Sequence, residues 1–336
     1  MKAATLESKF PLLAVENGCI VSKEADVTVA FRVELPELFS VTGSEYEAVH
    51  SAWHKAVKVL PEYSIVHKQD FFIEEKYRPE TDRDDLSFLS RSFERHFNER
   101  PFLNHFCYLF LTKTTKARSR QESTFSTLCK GRLVPKEIED RETVTRFLEA
   151  VGQFEKIMND SGFVTLRRLT TDEITGTERS AGIVEKYLSL SQHDTTVLKD
   201  IQLNPEEMRI GDDILCLHTL SDTEDLPGKV ATDSRYERLS TDRSDCRLSF
   251  AAPVGLLLDC NHCYNQYIFI DDHGENLKRF EQTARNMHSL SRYSRSNQIN
   301  KAWIEEYLNE AHSKGLTSVR CHCNVMAWSD DREELR

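Results

Sequence analysis

The chain has 336 residues, 39% of them hydrophobic, and a formal net charge of −11. That is long enough for about two domains with a sizeable core, while the acidic balance argues against nucleic-acid binding over the whole surface. The nine cysteines are odd in number and scattered, as free thiols in a reducing compartment are. Met1 to Lys9 holds no apolar signal core, and the longest apolar run, Phe250 to Leu258, is too short to span a bilayer.

Pro11 to Leu35 reads as β structure, with Asn17-Gly18 as a two-residue hairpin turn. Ser44 and Glu47 have capping-box spacing for a helix whose apolar face is Tyr46, Val49, Trp53, Val57 and Leu60, stopped by Pro61. A strand over Tyr63–Ile73 follows. Leu86, Leu89, Phe93 and Phe97 mark a second helix, and Phe102–Leu111 an apolar strand. Lys113, Lys116, Arg118 and Arg120 form a basic excursion. Pro135 opens a long helix with Val144, Phe147, Leu148, Val151, Phe154, Ile157 and Met158 on one face, ended by Gly162 before a strand at Phe163–Leu169.

Thr170 to Ser180 is the best domain boundary, which divides the chain into an α+β subdomain at 1–170 and a second at 171–336. A helix near Ile183–Leu190 and a strand at Ile214–Leu220 lead into 221–245, a polar stretch of the length that mobile or functional loops have. Leu248 to Leu258 returns to β. The unit at 265–328 closes the chain: a strand ending at Ile270, a helix capped by Asp272 and Glu275, a second helix carrying Ile299, Trp303, Ile304, Tyr307, Leu308 and Ala311, the stop signal Gly315, and a strand from Leu316 to Trp328. This unit is expected at the heart of a packed layer. Asp330 and Glu333 announce a further helix, so the chain reads as the front of a longer protein. The fold class is α+β, with mixed or antiparallel sheets and packed helices.

A phosphate-cradling loop needs G-x-x-x-x-G-K-[ST] so that backbone amides reach the phosphates. At Gly228-Lys229 the first glycine is replaced by Thr223 and the hydroxyl by Val230, so there is no P-loop. Cys260 and Cys263 with Cys321 and Cys323 offer four thiols, but the second pair is too tight for a common zinc knuckle, and Cys321, Cys323 and Val325 share one strand face as core residues would. His50 and His54 stand one helical turn apart without an evident third ligand. No metal, cofactor or catalytic residue is assigned. The candidate interaction surface is a local reversal of charge: Lys278, Arg279, Arg285, Arg292, Arg295 and Lys301 against the single acid Glu281 across 278–301. Such a stripe suits an acidic partner, anionic headgroups or nucleic acid, or is a solvated helix face.

Five segments add a resemblance. Phe10-Pro-Leu-Leu-Ala-Val-Glu-Asn-Gly-Cys-Ile-Val-Ser-Lys, Arg100-Pro-Phe-Leu-Asn-His-Phe-Cys-Tyr-Leu-Phe-Leu-Thr-Lys-Thr, Leu239–Phe250, Tyr264–Asp272 and Val325–Asp331 resemble the front of the TraG conjugation ATPases of Bacteroides-type conjugative transposons. That family is similar to the TrbE/CagE class of type IV secretion ATPases, in which an N-terminal α+β region precedes a P-loop motor. The resemblance implies a non-catalytic region that docks the motor to inner-membrane components of the transfer channel during conjugation. It implies self-association in the parent ATPase, a cytoplasmic place peripheral to the inner membrane, and ATP and Mg²⁺ only in the motor. A nucleic-acid-contacting module using the 278–301 stripe is the alternative.

Overall fold

A computed structural model describes residues 10–36, 41–77, 87–115, 141–204, 207–220, 234–243, 245–248, 257–290 and 294–335. Their strands pair antiparallel throughout, and helices pack on both faces of the main sheet, giving the expected α+β class.

β1 (Leu12–Glu16) and β2 (Cys19–Ser22) form the predicted hairpin. Asn17 and Gly18 sit at φ 53° and 69°, the positive values a tight twisted turn demands. β3 (Val27–Glu34) pairs with β2 through Val27–Val29 and with β6 (Thr165–Arg168) through Phe31–Glu34, leaving its other flank to β5 (Pro101–Lys113). β4 (Ser64–Lys76) pairs with β5 along its whole length. β12 (Asn261–Ile270) lies on the far side of β4, followed by β13 (Val319–Ser329), β9 (Asp213–Thr219), β8 (Met208–Ile210) and β7 (Ile201–Leu203). Nine rungs join β4 to β12, so strands from either side of the 170/171 boundary share one sheet. β10 (Ser234–Arg235) and β11 (Arg247–Leu248) form a separate small ladder at the end of the polar 221–245 stretch, whose residues 221–233 and 244 lie outside the described ones.

Alternation along the strands builds two cores. On one face Val29, Phe31, Leu109 and Leu111 meet α1 (Gly43–Lys58) and α3 (Arg141–Asp160), whose Phe147, Val151 and Phe154 are essentially fully buried. On the other, Phe71, Tyr108, Cys263 and Trp328 lie with Ile174 of α4 (Thr171–Thr175) and Ile183 and Val184 of α5 (Ile183–Leu188). Burial of such apolar surface is the main force holding these layers together.

Several elements differ from expectation. α1 is capped by Thr42 and Glu45, not Ser44 and Glu47: the Glu45 amide donates to Thr42 Oγ1 at 3.4 Å, and the Thr42 amide donates to Glu45 Oε2 at 2.8 Å. Both pairs fit the spacing, and the earlier one wins because Thr42 holds extended backbone. α2 (Phe88–Asn98) has no buried residue, and Phe88, Leu89, Phe93 and Phe97 are exposed. Lys113 belongs to β5 and is buried, its ammonium donating to the Glu62 carbonyl. Pro135, Leu86 and the rest of the basic excursion lie outside the described residues.

The 265–328 unit is central only in its strands. α6 (His273–Leu290) and α7 (Arg295–Lys314) pack against each other, with the Phe280 and Tyr307 rings 4.9 Å apart, rather than over the sheet. Ala311 is the one buried residue of α7, and Trp303 is 65% exposed. The signals at its ends hold: Glu275 donates its amide to Asp272 Oδ1 at 2.9 Å, and Gly315 closes α7 at φ 62°. After β13 the chain makes turns, with the Glu333 amide donating to Asp331 Oδ1 at 2.9 Å in place of the predicted Asp330 cap.

Candidate functional site

A groove of 1430 Å³ opens between α1 and the sheet strands β4, β5, β12 and β13. Period-two geometry dictates its floor. Cross-strand rungs set Lys68 beside Gln266 and Cys323, then Asp70 beside Cys107, Tyr264 and Val325, then Phe72 beside His105, His262 and Ala327. α1 forms the wall with Tyr46, His50, Trp53 and His54. Trp53 is fixed by its edge against Phe154, 6.1 Å away.

Charged side chains lie where the strand pattern alone would put apolar ones. Asp70 and Lys68 form an ion pair, and His105 Nε2 lies 2.9 Å from Asp70 Oδ1. An ionised carboxylate only accepts, so Nε2 carries the proton. The Phe72 ring stacks on His105 at 4.7 Å and on His262 at 4.6 Å, which locks the imidazole plane. Burial alone would raise the Asp70 carboxyl, but the Lys68 ammonium and hydrogen bonds from His105 and Lys68 outweigh it and bring the pKa to about 2. Burial works against the charge on Lys68, yet its pKa is raised overall, the Asp70 carboxylate and its hydrogen bond being among the causes. The Cys107 thiol is pushed up by burial, more than Lys68 can offset. Here, then, are a carboxylate, an ammonium, an imidazole and a neutral thiol within one pleat.

The opposite face holds a neutral polar network. Asn265 Oδ1 lies 2.8 Å from His67 Nε2 and accepts from Gln69 Nε2 at 3.0 Å, and its amide donates to Asn324 Oδ1 at 3.0 Å. His67 is stacked on Tyr267 at 4.2 Å, and burial lowers its pKa to about 4 against the Asn265 bond and the charge of Asp70.

The residues singled out from sequence fall elsewhere. Lys278, Arg279, Arg285 and Arg295 are exposed on the α6–α7 hairpin and form no ion pair among the described residues. Lys301 is half-buried, 3.3 Å from Glu305 and 3.0 Å from His288 Nδ1, and Arg292 lies outside the described residues. The four thiols do not converge. Cys263 pairs with Met326 and points to one face, whereas Cys321 and Cys323, opposite Ile268 and Gln266, belong to the groove face; Cys260 precedes the strand. His50 and His54 line the groove but join no three-ligand group among the described residues. Sequence reading passed over Lys68, Asp70, His105 and Cys107. The available signal was Lys68 and Asp70 at alternate positions on the strand face that also carries Val66 and Phe72.

No described helix is long and apolar enough to cross a membrane. No curated protein matches the chain. The DUF3875 family, described as a domain of unknown function from a B. Theta gene description, matches residues 1–51, which carry β1 to β3 and the first half of α1.

Proposed function

We propose that this chain is the non-catalytic docking and assembly region of a TraG-like conjugative-transfer ATPase of the type IV secretion class, and that it binds inner-membrane components of the transfer channel. The resemblance spread over five segments supports this reading, and the B. Theta description of the family matching residues 1–51 agrees with a Bacteroides-type source. The structural observation that carries it is the α6–α7 hairpin, whose helices pack on each other and leave Lys278, Arg279, Arg285 and Arg295 exposed. In a chain of net charge −11, a local group of exposed cations of this kind steers an acidic partner surface.

Co-purification of the chain with the channel's inner-membrane proteins tests the reading. Retention is expected at low salt, with at least a tenfold loss in the triple variant Lys278→Glu, Arg279→Glu, Arg285→Glu. Retention unchanged by that variant, or none from the unaltered chain, would count against it. The same exposed cations favour a second reading, contact with nucleic acid. Fluorescence anisotropy with a DNA duplex across a salt series separates the two, because phosphate binding weakens steeply as salt rises. A strongly salt-dependent affinity lost in Arg285→Glu would favour the second.

A further inference from the structure

We propose that Asp70, His105 and Cys107 form a zinc-class divalent metal site at the floor of the groove. One ligand atom from each lies within 4.8 Å of the other two. Tetrahedral zinc, with bonds of about 2.0–2.3 Å, holds its donors about 3.3–3.6 Å apart, so closure needs only small side-chain movements. The scaffold suits that demand. Asp70 and Cys107 face each other directly across the β4–β5 ladder, and His105 follows two residues along the same face. Rigid strands keep ligands in place better than loops do. The Phe72 ring, itself backed by His262, holds His105 by stacking, as an orienting shell does.

The donor set has one oxygen, one nitrogen and one sulfur. Imidazole and thiolate together select zinc or a related borderline ion over magnesium or calcium. Three protein ligands leave a fourth position, and these residues line an open groove, the arrangement of sites that hold an exchangeable water or ligand. Binding converts the Cys107 thiol to thiolate, its proton passing to solvent, and the His105 nitrogen that binds gives up its proton, the neutral ring then carrying one on the other nitrogen. Lys68 is the ion's competitor. Its ammonium pairs with Asp70 in the metal-free protein and must turn away on binding. The site is therefore held to modest affinity by a residue that could be removed.

The test is titration of the full chain with Co²⁺ alone, followed by Zn²⁺ displacement. One equivalent should bind with a thiolate-to-cobalt charge-transfer band that Zn²⁺ abolishes. Cys107→Ser should remove the band, and Cys321→Ser with Cys323→Ser should keep it. His105→Ala, at a partly exposed position, should weaken binding at least tenfold. Lys68→Met should tighten binding severalfold. A band that survives Cys107→Ser, an affinity unchanged in His105→Ala, or no saturable binding would overturn the assignment. Should Cys107→Ser fail to fold, judged by circular dichroism, the His105→Ala and Lys68→Met affinities decide.

Discussion

Individual side chains set how this sheet responds to acid. The folded-state pKa of His67 is lowered from 6.5 to about 4. Between those values the unfolded chain takes up a proton that the folded one refuses, which favours unfolding. The stability tied to this residue is therefore complete above pH 6.5 and falls as pH drops toward 4, by up to about 3 kcal/mol. Urea unfolding at pH 7.5 and 5.0 should show the decline, and His67→Phe, which keeps an aromatic ring against Tyr267, should lose that part of it. An equal pH dependence in the variant would refute the assignment. Asp271 is a second sensitive point. Its carboxylate is buried and held by Arg320 through Nε at 2.6 Å and Nη2 at 3.1 Å. Arg320→Ala should cost about 1–3 kcal/mol by removing both of these hydrogen bonds from a buried carboxylate. Adding Asp271→Asn should recover part of the loss in thermal melts, since a neutral amide costs less than a carboxylate to bury without the guanidinium.

At the scale of elements, two glycines with different surroundings give unequal expectations. A Cβ on Gly182 would run into the backbone of Gly176 and Ile174, where α4 meets α5. Gly182→Ala should therefore destabilise by about 2–3 kcal/mol, the cost of overpacking a site that cannot relax. Gly315 has open space around it but holds φ 62°. Gly315→Ala should cost only about 1–2 kcal/mol, the left-handed backbone penalty. Melting temperatures of the two variants check the order. Most of these elements were legible from residues alone: the Asn17-Gly18 turn, the Asp272 cap and the Gly315 stop each carry a local steric or hydrogen-bonding reason. The α1 cap was two residues off because Thr42 and Ser44 both precede a glutamate by three. β7 and β8 went unseen because three residues hold too little period to detect. The groove cluster was illegible for a different reason. Asp70 and Cys107 meet through strand register, a property of the pairing rather than of either segment. The helical hairpin showed its apolar stripe correctly, but a stripe does not say how much of itself a partner will cover, and Trp303 stays exposed.

Across the whole molecule, apolar surface that the described residues leave open is densest on α2 and along 197–203. Phe88 and Phe93 are 79% and 58% exposed. Phe93→Ser should change unfolding free energy by less than about 0.5 kcal/mol, as substitutions at uncovered positions do; a larger loss in chemical denaturation would mean that the face is covered. The two halves of the sequence, by contrast, are tied along the middle of the sheet, where His67 of β4 meets Asn265 of β12, 198 residues away. On a ribosome adding about 5–20 residues per second, β4 waits roughly 10–40 s for that neighbour to emerge. During synthesis the nascent first half therefore carries an open hydrogen-bonding flank, and a chain halted before Asn261 would keep it, ready to pair with another copy.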